Sequence, residues 1–355
     1  MMRFYCCLLT LCFLALAGCE TTDSATRKEQ RARQAEEQAR LRAAFLGRIH
    51  EAESEVWEIL HPLIQQAANY RESETNGYIG AVFVTEAFYS EALLLEARAE
   101  GFGPYVSVLT VFPDSPAESA GLKPGDRLLS VNGIKSPNGQ RAAMFAARRV
   151  KGLLEPGVEN ELEVLRGEEV LTLRVEPVEG AYYAVVVVAS NTVDLQVDGD
   201  VIWIGLSLVE ALERSEDLSY LCAYALAKSV MRHPKQKGKN AFIGQLLDVA
   251  AAASGVGTGG LFGAMGDNAY SHAFEVEADL IALYLLASSG YEIEAYPDFW
   301  DRSLRSRSRK GELTVKEAER IEIMGKVIDS LTEKIEAEEP IFPEAYLQGD
   351  VSEIE

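Results

Sequence analysis

The sequence predicts an α+β chain of two domains, in which a mostly helical body with a small β-sheet is interrupted by a small β-rich domain. Three observations support this expectation. The chain has 355 residues, more than a single hydrophobic core usually holds. Apolar residues recur every three or four positions toward both ends of the chain, as in buried helices. Short apolar runs separated by glycine and proline turns fill the middle, as in strands.

The composition is that of a folded, acidic protein. Hydrophobic residues make up 48% of the chain and charged residues 25%, which is the usual balance of a globular protein. The net charge of −21 disfavours binding to nucleic acid. The same acidity means that attachment to a membrane surface should not depend on a basic patch.

The N-terminus has the pattern of a targeting segment. Arg3 precedes an apolar run, Phe4–Ala17, that is too short to span a membrane comfortably. The run ends in "LAGC", which resembles the lipobox of bacterial lipoprotein precursors and places the cysteine at Cys19. The resemblance implies that residues 1–18 are a signal peptide and that lipid on Cys19 anchors the protein in the cell envelope. Glu20 follows the cysteine, and by resemblance to enterobacterial sorting rules the absence of Asp at this position favours the outer membrane, facing the periplasm. A plain secretory signal or a buried apolar N-terminus is the alternative.

The next segments are expected to lead into the helical body. Residues 19–44 are polar with mixed charges, which predicts a solvated tether or an exposed helix. Residues 45–67 carry apolar side chains at helical spacing, so one stripe of this helix should be buried, with a kink caused by Pro62. Residues 45–100, including a short strand at Ile79–Val84, are assigned to the N-terminal part of the helical body.

The middle of the chain carries a dense turn signature, "SPA..AGL..GD.L..VNG", from Ser115 to Gly133. Gly121 and Gly125 suit turns that require positive φ, and Asn132-Gly133 suits a type I′ hairpin turn. The signature resembles that of PDZ domains. The resemblance covers residues 101–179.

A PDZ domain implies a polypeptide partner that binds by strand addition, with a loop of backbone N–H groups around its terminal carboxylate. The sequence places this loop before the first strand, so the predicted peptide-binding residues are Gly101, Phe102, Gly103 and Tyr105. Pro104 removes one N–H group from the loop. The alternative is a docking PDZ domain that regulates the rest of the chain.

The segments around this domain contain two further motifs. The run "N.V....DG..I..GL" extends from Asn191 to Leu206 and precedes an apolar helix, and "YSHAFEVEAD" extends from Tyr270 to Asp279. Together they resemble the HtpX and CAAX-prenyl-protease family of HExxH zinc metallopeptidases. Residues 45–100 and 180–355 would accordingly form a zincin-like, mostly helical domain.

The residues that would hold zinc in that family have been replaced. The HExxH positions are occupied by Tyr224, Ala225 and Lys228, whereas Glu275, at the third ligand position, and Asp279 are retained. Without histidine ligands or a general base, no catalytic residue, metal or cofactor is expected, and zinc would be needed only if the family activity were retained. Lys228 is expected to take the place of the metal and pair with Glu275, with Tyr224 hydrogen-bonded nearby.

Three functions remain open from the sequence. The first is a non-catalytic lipoprotein that binds polypeptide, in envelope protein quality control, with an edge strand near Val201–Ile204 as a second pairing surface. The second is an active metalloendopeptidase with unorthodox ligands drawn from His233, His272, Glu275 and Asp279. The third is an adaptor in which only the PDZ domain binds, on a peptidase-derived scaffold.

Overall fold

Two hydrophobic cores organise the chain, one in the β-rich middle and one shared by the helical segments on either side of it. The computed structural model describes residues 4–70, 76–180, 183–189, 195–198, 201–212, 214–231 and 267–342.

The first helix, α1, extends over Phe4–Ala67. At 1.5 Å per residue it is about 96 Å long. Residues 27–44 are mostly exposed, and a buried stripe begins at Leu46, so the segment expected as a tether and the helix expected from residue 45 are one helix that continues through Pro62. Among the described residues, no helix is both long and apolar enough to cross a bilayer.

Short strands and helices make up the β-rich middle. Five strands follow the order β2-β3-β4-β6-β7 in one sheet, β5 pairs with β4, and β1 pairs antiparallel with β8. In chain order the elements are β1 (Asn76–Tyr78), β2 (Ala81–Val84), α2 (Leu94–Ala99), β3 (Ser107–Val111), α3 (Pro116–Ser119), β4 (Arg127–Val131), β5 (Ile134–Lys135), α4 (Gln140–Met144), β6 (Asn160–Arg166), β7 (Glu169–Val175) and β8 (Val178–Gly180).

The turns of this domain follow the predicted chemistry. Gly121 and Gly125 have φ of 79° and 84°, and Asn132 and Gly133 have φ of 49° and 76°, so both central residues of the hairpin turn have the positive φ that a type I′ turn requires. The Asn132 side chain also accepts a hydrogen bond at 2.8 Å from the backbone N–H of Glu161 in β6. The turn predictions are therefore confirmed.

Strand β2 belongs to the β-rich domain. It pairs antiparallel with β3, and Ile79 and Phe83 are buried in the same core as Leu128 and Leu162. From the sequence this strand is predicted in the helical body, because a short apolar run does not indicate the strand with which it pairs. The structure places it in the sheet, so this sheet extends upstream of the boundary drawn at residue 101.

The second core lies between α1, the helices that follow the β-rich middle and a three-stranded sheet. Helices α6 and α7 lie side by side and both contact α1. In chain order the elements are β9 (Ala184–Val188), β10 (Leu195–Asp198), β11 (Val201–Gly205), α5 (Leu206–Glu210), α6 (Ser215–Met231), α7 (Asp267–Ser288), α8 (Tyr296–Arg307) and α9 (Val315–Glu336).

The order of this sheet corrects one expectation from the sequence. Strand β11 lies between β10, to which it is antiparallel, and β9, to which it is parallel. The segment Val201–Ile204 therefore has a partner on both sides and is not the edge predicted to pair with a ligand. Among the described strands, the outer positions of this sheet belong to β9 and β10.

Candidate peptide-binding groove and buried ion cluster

A cavity of about 250 Å³ lies along strand β2 of the β-rich domain. Val82, Phe83 and Val84 of β2 line it, together with Leu109 of β3 and Ala147 from the helical turn that follows α4. Strand β2 is the outer strand of its sheet, so its far edge pairs with no other strand in the described part of the chain. An apolar cavity beside an open strand edge has the shape and chemistry to take an extended polypeptide.

The turn before β2 directs two backbone N–H groups away from the domain core. The carbonyl of Ile79 accepts from Ala117 N at 2.8 Å, and the carbonyl of Gly80 accepts from Phe112 N at 2.9 Å. Across a trans peptide, a carbonyl and the next N–H point in opposite directions. The N–H groups of Gly80 and Ala81 therefore point away from these partners.

This turn also has the backbone conformation of an anion site. Gly80 has φ of 72°, and successive N–H groups around such a left-handed residue form a concave site for a carboxylate. Residues 77–79, the end of β1 and the first residue of the turn, line a small cavity of about 40 Å³ that shares Trp57, Val82 and Phe83 with the larger one. The sequence signal for this turn is "GYIG", directly before an apolar strand.

The loop predicted from the sequence to bind the carboxylate caps a helix instead. Gly101 N donates to Arg98 O at 3.1 Å, and Phe102 N donates to Ala97 O at 2.9 Å, so both groups end helix α2. The carbonyl of Gly103 accepts from Glu86 N at 2.9 Å. These backbone groups are therefore used inside the fold.

The side chains of that loop also contact the protein itself. The ring of Phe102 lies against the rings of His50 and Tyr89. The hydroxyl of Tyr105 donates to Gly101 O at 3.2 Å, and the Arg127 guanidinium lies over the Tyr105 ring. The cavity along β2 is lined by none of the four predicted residues, which are Gly101, Phe102, Gly103 and Tyr105.

A second wall of the cavity comes from the other core. Ile49, Glu53 and Trp57 of α1 and residues 185–189, which include most of β9, line this side of the cavity. The carboxylate of Glu53 accepts a hydrogen bond from the backbone N–H of Val187. Burial raises the pKa of Glu53 to about 7, so this acid is only partly ionised at neutral pH.

Two of the residues that the sequence resemblance compares with HExxH, Tyr224 and Lys228, form an ion cluster with Glu275 between α6 and α7. Lys228 donates from Nζ to Glu275 Oε1 at 3.1 Å, and the hydroxyl of Tyr224 donates to Glu275 Oε2. The predicted pairing of Lys228 with Glu275 is confirmed. Ala225 is fully buried in the apolar core and has no side-chain ligand atom.

Asp279 is neutralised within the same region by a second cation. Arg320 of α9 donates to both oxygens of Asp279, from Nε at 2.5 Å and from Nη2 at 2.9 Å, and the hydroxyl of Tyr296 donates to Oδ1 at 3.0 Å. Asp279 and Arg320 are both buried, and such paired geometry is what allows charges to remain in a core. Both carboxylates of the cluster, Glu275 and Asp279, therefore have hydrogen-bond donors and a cation within the protein.

This cluster does not fit a zinc ion. An ammonium group and a phenol contact Glu275, and the ammonium has no lone pair with which to bind a metal. His272 of α7 lies 3.8 Å from Glu319 and burial lowers its pKa, while His233 lies outside the described residues. Within the described residues, no group of three potential metal ligands comes together.

Comparison with known proteins identifies the β-rich domain. A family model of the PDZ domain matches residues 107–145, so this part of the chain is a PDZ domain. No curated protein matches the chain.

Three solved structures are similar to about a third of this chain. An HtrA-type protease, AlgW with a decapeptide, is 26% identical over 30% of this chain and 30% of its own, with a TM-score of 0.23. The HtrA3 PDZ domain bound to a phage-derived ligand is 25% identical over 30% of this chain and 92% of its own, with a TM-score of 0.22. An aminopeptidase N family protein from Idiomarina loihiensis is 20% identical over 31% of this chain and 15% of its own, with a TM-score of 0.22.

Proposed function

We propose that the chain binds an extended polypeptide in the groove of its PDZ domain, by strand addition to β2. The open edge of β2 beside the apolar cavity is the observation that carries this proposal. Backbone groups of β2 would pair with the ligand, and the cavity would receive its side chains. The N–H groups of Gly80 and Ala81 would hold a terminal carboxylate.

The test is a substitution that fills the groove with charge. Ala147→Glu places a carboxylate in the apolar cavity, and Ala143→Glu, on the same helical segment but outside the lining, is the matched control. Peptides selected from a random C-terminal library on the full chain should bind Ala147→Glu about tenfold or more weakly, because a buried charge without a partner is costly. Binding to Ala143→Glu should stay within about twofold of wild type. Equal affinity for both variants, measured by isothermal titration calorimetry, would place the binding site elsewhere.

We further propose that the helical body is a non-catalytic scaffold derived from a zinc metallopeptidase. The sequence resemblance suggests the origin, and the ion pair of Lys228 with Glu275 supports the loss of metal chemistry. Zinc content by elemental analysis, beside a casein-cleavage assay with added zinc, tests this. One equivalent of zinc with chelator-sensitive cleavage would favour the alternative of an active peptidase with unorthodox ligands.

The proposed site of action is the cell envelope, through lipid on Cys19. The support is the "LAGC" motif after an apolar run. The backbone of α1 passes through this position, but the Cys19 side chain lies outside the described residues. Metabolic labelling with a fatty acid should mark the wild-type chain and fail to mark Cys19→Ser, and equal labelling of both would exclude this anchor.

A further inference from the structure

The peptide groove contains a carboxylate that has no cationic partner. Glu53 lines the cavity from α1, and its pKa is set by burial and by the N–H of Val187, with no contribution from a positive charge in the described residues. Nearby arginines of the same helix are paired elsewhere, Arg42 with Glu96 and Arg48 with Glu210. The groove therefore offers a half-buried, partly ionised carboxylate to whatever enters it.

The charged and polar groups around Glu53 do not neutralise it. His50, one turn earlier on α1, lies 3.0 Å from both Glu100 Oε2 and the hydroxyl of Tyr89, and burial lowers its pKa. Burial raises the pKa of Tyr89, and the charges of Glu53 and Glu100 raise it further. The described groups beside Glu53 are thus a tyrosine, whose pKa is raised, and a histidine that is mostly uncharged at neutral pH, and neither supplies a positive charge.

We propose that Glu53 is a specificity-determining residue of the groove, which accepts the side chain of a lysine or arginine in the polypeptide bound along β2. This inference rests on the proposed function and adds the chemistry of one ligand position. A cation that replaces water beside a buried carboxylate forms a charge-assisted hydrogen bond and removes the cost of the unpaired charge. A ligand with an apolar side chain at that position leaves Glu53 unpaired or protonated.

The position of β9 explains why the cation would be held in place. Val185, Val187 and the rest of the 185–189 segment form a second wall of the cavity that β2 lines, so a bound segment would contact residues of both cores. The hydrogen bond from Val187 N fixes the Glu53 carboxylate against this wall. A fixed carboxylate loses little side-chain entropy when a cation binds to it.

The first experiment is a parallel selection of peptides. A random C-terminal peptide library is selected on the full-length wild type, on Glu53→Gln and on Glu55→Gln, a control that changes an exposed residue of the same helix. Wild type and Glu55→Gln should enrich lysine or arginine at one common position, and Glu53→Gln should not. Equal basic enrichment on Glu53→Gln would overturn the inference.

The second experiment measures one selected peptide and its analogue with norleucine at the enriched position. At pH 8 wild type should bind the lysine peptide about tenfold or more tightly than the norleucine peptide, and Glu53→Gln should reduce that ratio to about threefold or less. The ratio in wild type should fall at pH 6, where Glu53 is mostly protonated before binding. A ratio that is the same in both proteins and at both pH values would overturn the inference.

The outcomes separate the two proposals. Selected peptides without basic enrichment, whose binding is lost in Ala147→Glu, would leave the groove as the site and remove the role of Glu53. Failure to select any peptide on wild type would remove both.

Discussion

Replacing Glu53 with glutamine should stabilise the unliganded chain more at pH 8 than at pH 5. Burial raises the pKa of Glu53 in the folded chain to about 7, from an ordinary value of 4.5. Between these two values the folded chain holds a proton that the unfolded chain has already released. Protonated Glu53 therefore contributes its full share to the free energy of unfolding below its pKa in the unfolded chain. This contribution is lost as the pH rises through its pKa in the folded chain.

The magnitude follows from the size of this window. Each unit of pKa difference corresponds to about 1.4 kcal/mol, so ionising Glu53 in the folded chain between pH 5 and pH 8 costs roughly 2.5 kcal/mol. Glutamine has no charge to desolvate, and its amide oxygen can still accept from Val187 N. The free energy of unfolding of Glu53→Gln, minus that of wild type, should grow by roughly this amount over the same interval.

Urea unfolding followed by far-UV circular dichroism at the two pH values measures this difference through the midpoint and slope of each transition. Glu55→Gln is the control, because Glu55 is exposed on the same helix and should give a difference that does not grow with pH. A constant gap between wild type and Glu53→Gln from pH 5 to pH 8 would refute the argument that burial in the groove raises the pKa of this residue.

Two further substitutions test other parts of the structure. Lys228→Met should lower the melting temperature by removing the ammonium that donates to Glu275, which leaves Arg320, at 3.7 Å, as a more distant cation beside this carboxylate. The loss of about 1–3 kcal/mol in the free energy of unfolding should be partly restored in the double variant with Glu275→Gln; an unchanged melting temperature would contradict the ion pair. Gly80→Ala should cost roughly 2 kcal/mol or more and abolish peptide binding, because the new Cβ would lie 2.4 Å from Ser115 Cβ at a φ of 72°. Gly133→Ala, at a similar φ but in open space, should cost only about 1 kcal/mol in chemical unfolding and leave binding intact.

Local features of the fold were predictable because they depend on residues close together in the sequence. The positive φ at Gly121, Gly125 and the Asn132-Gly133 turn follows from what those residues allow sterically. The buried stripe of α1 follows from helical spacing. The pairing of Lys228 with Glu275 was expected from the sequence, because a buried carboxylate needs a cation and Lys228 is the nearest candidate in the motifs compared.

The peptide groove could not be located in the same way. The glycines at 101 and 103 have the pattern of a loop that binds a carboxylate through its N–H groups. In the structure the N–H groups of Gly101 and Phe102 cap α2 instead, and the residue at which α2 ends could not be predicted from this pattern. The turn ending at Gly80 lies outside the segment that the sequence predicts as the PDZ domain, because the partner of β2 is not evident from a short apolar run. Whether a strand is an edge depends on partners elsewhere in the chain, as β9 and β11 also show.

By itself, the sequence determined the α+β class, the presence of a PDZ-like segment and the chemistry of its turns, since each of these follows from composition, spacing and local sterics. Only the tertiary structure decided which strand edges are open and that Glu53 of α1, beside Val187 of β9, lines the same cavity as β2. The physical reason is that edges, burial and shifted pKa values are created by segments far apart in the chain, here α1 and β9, on either side of an inserted domain.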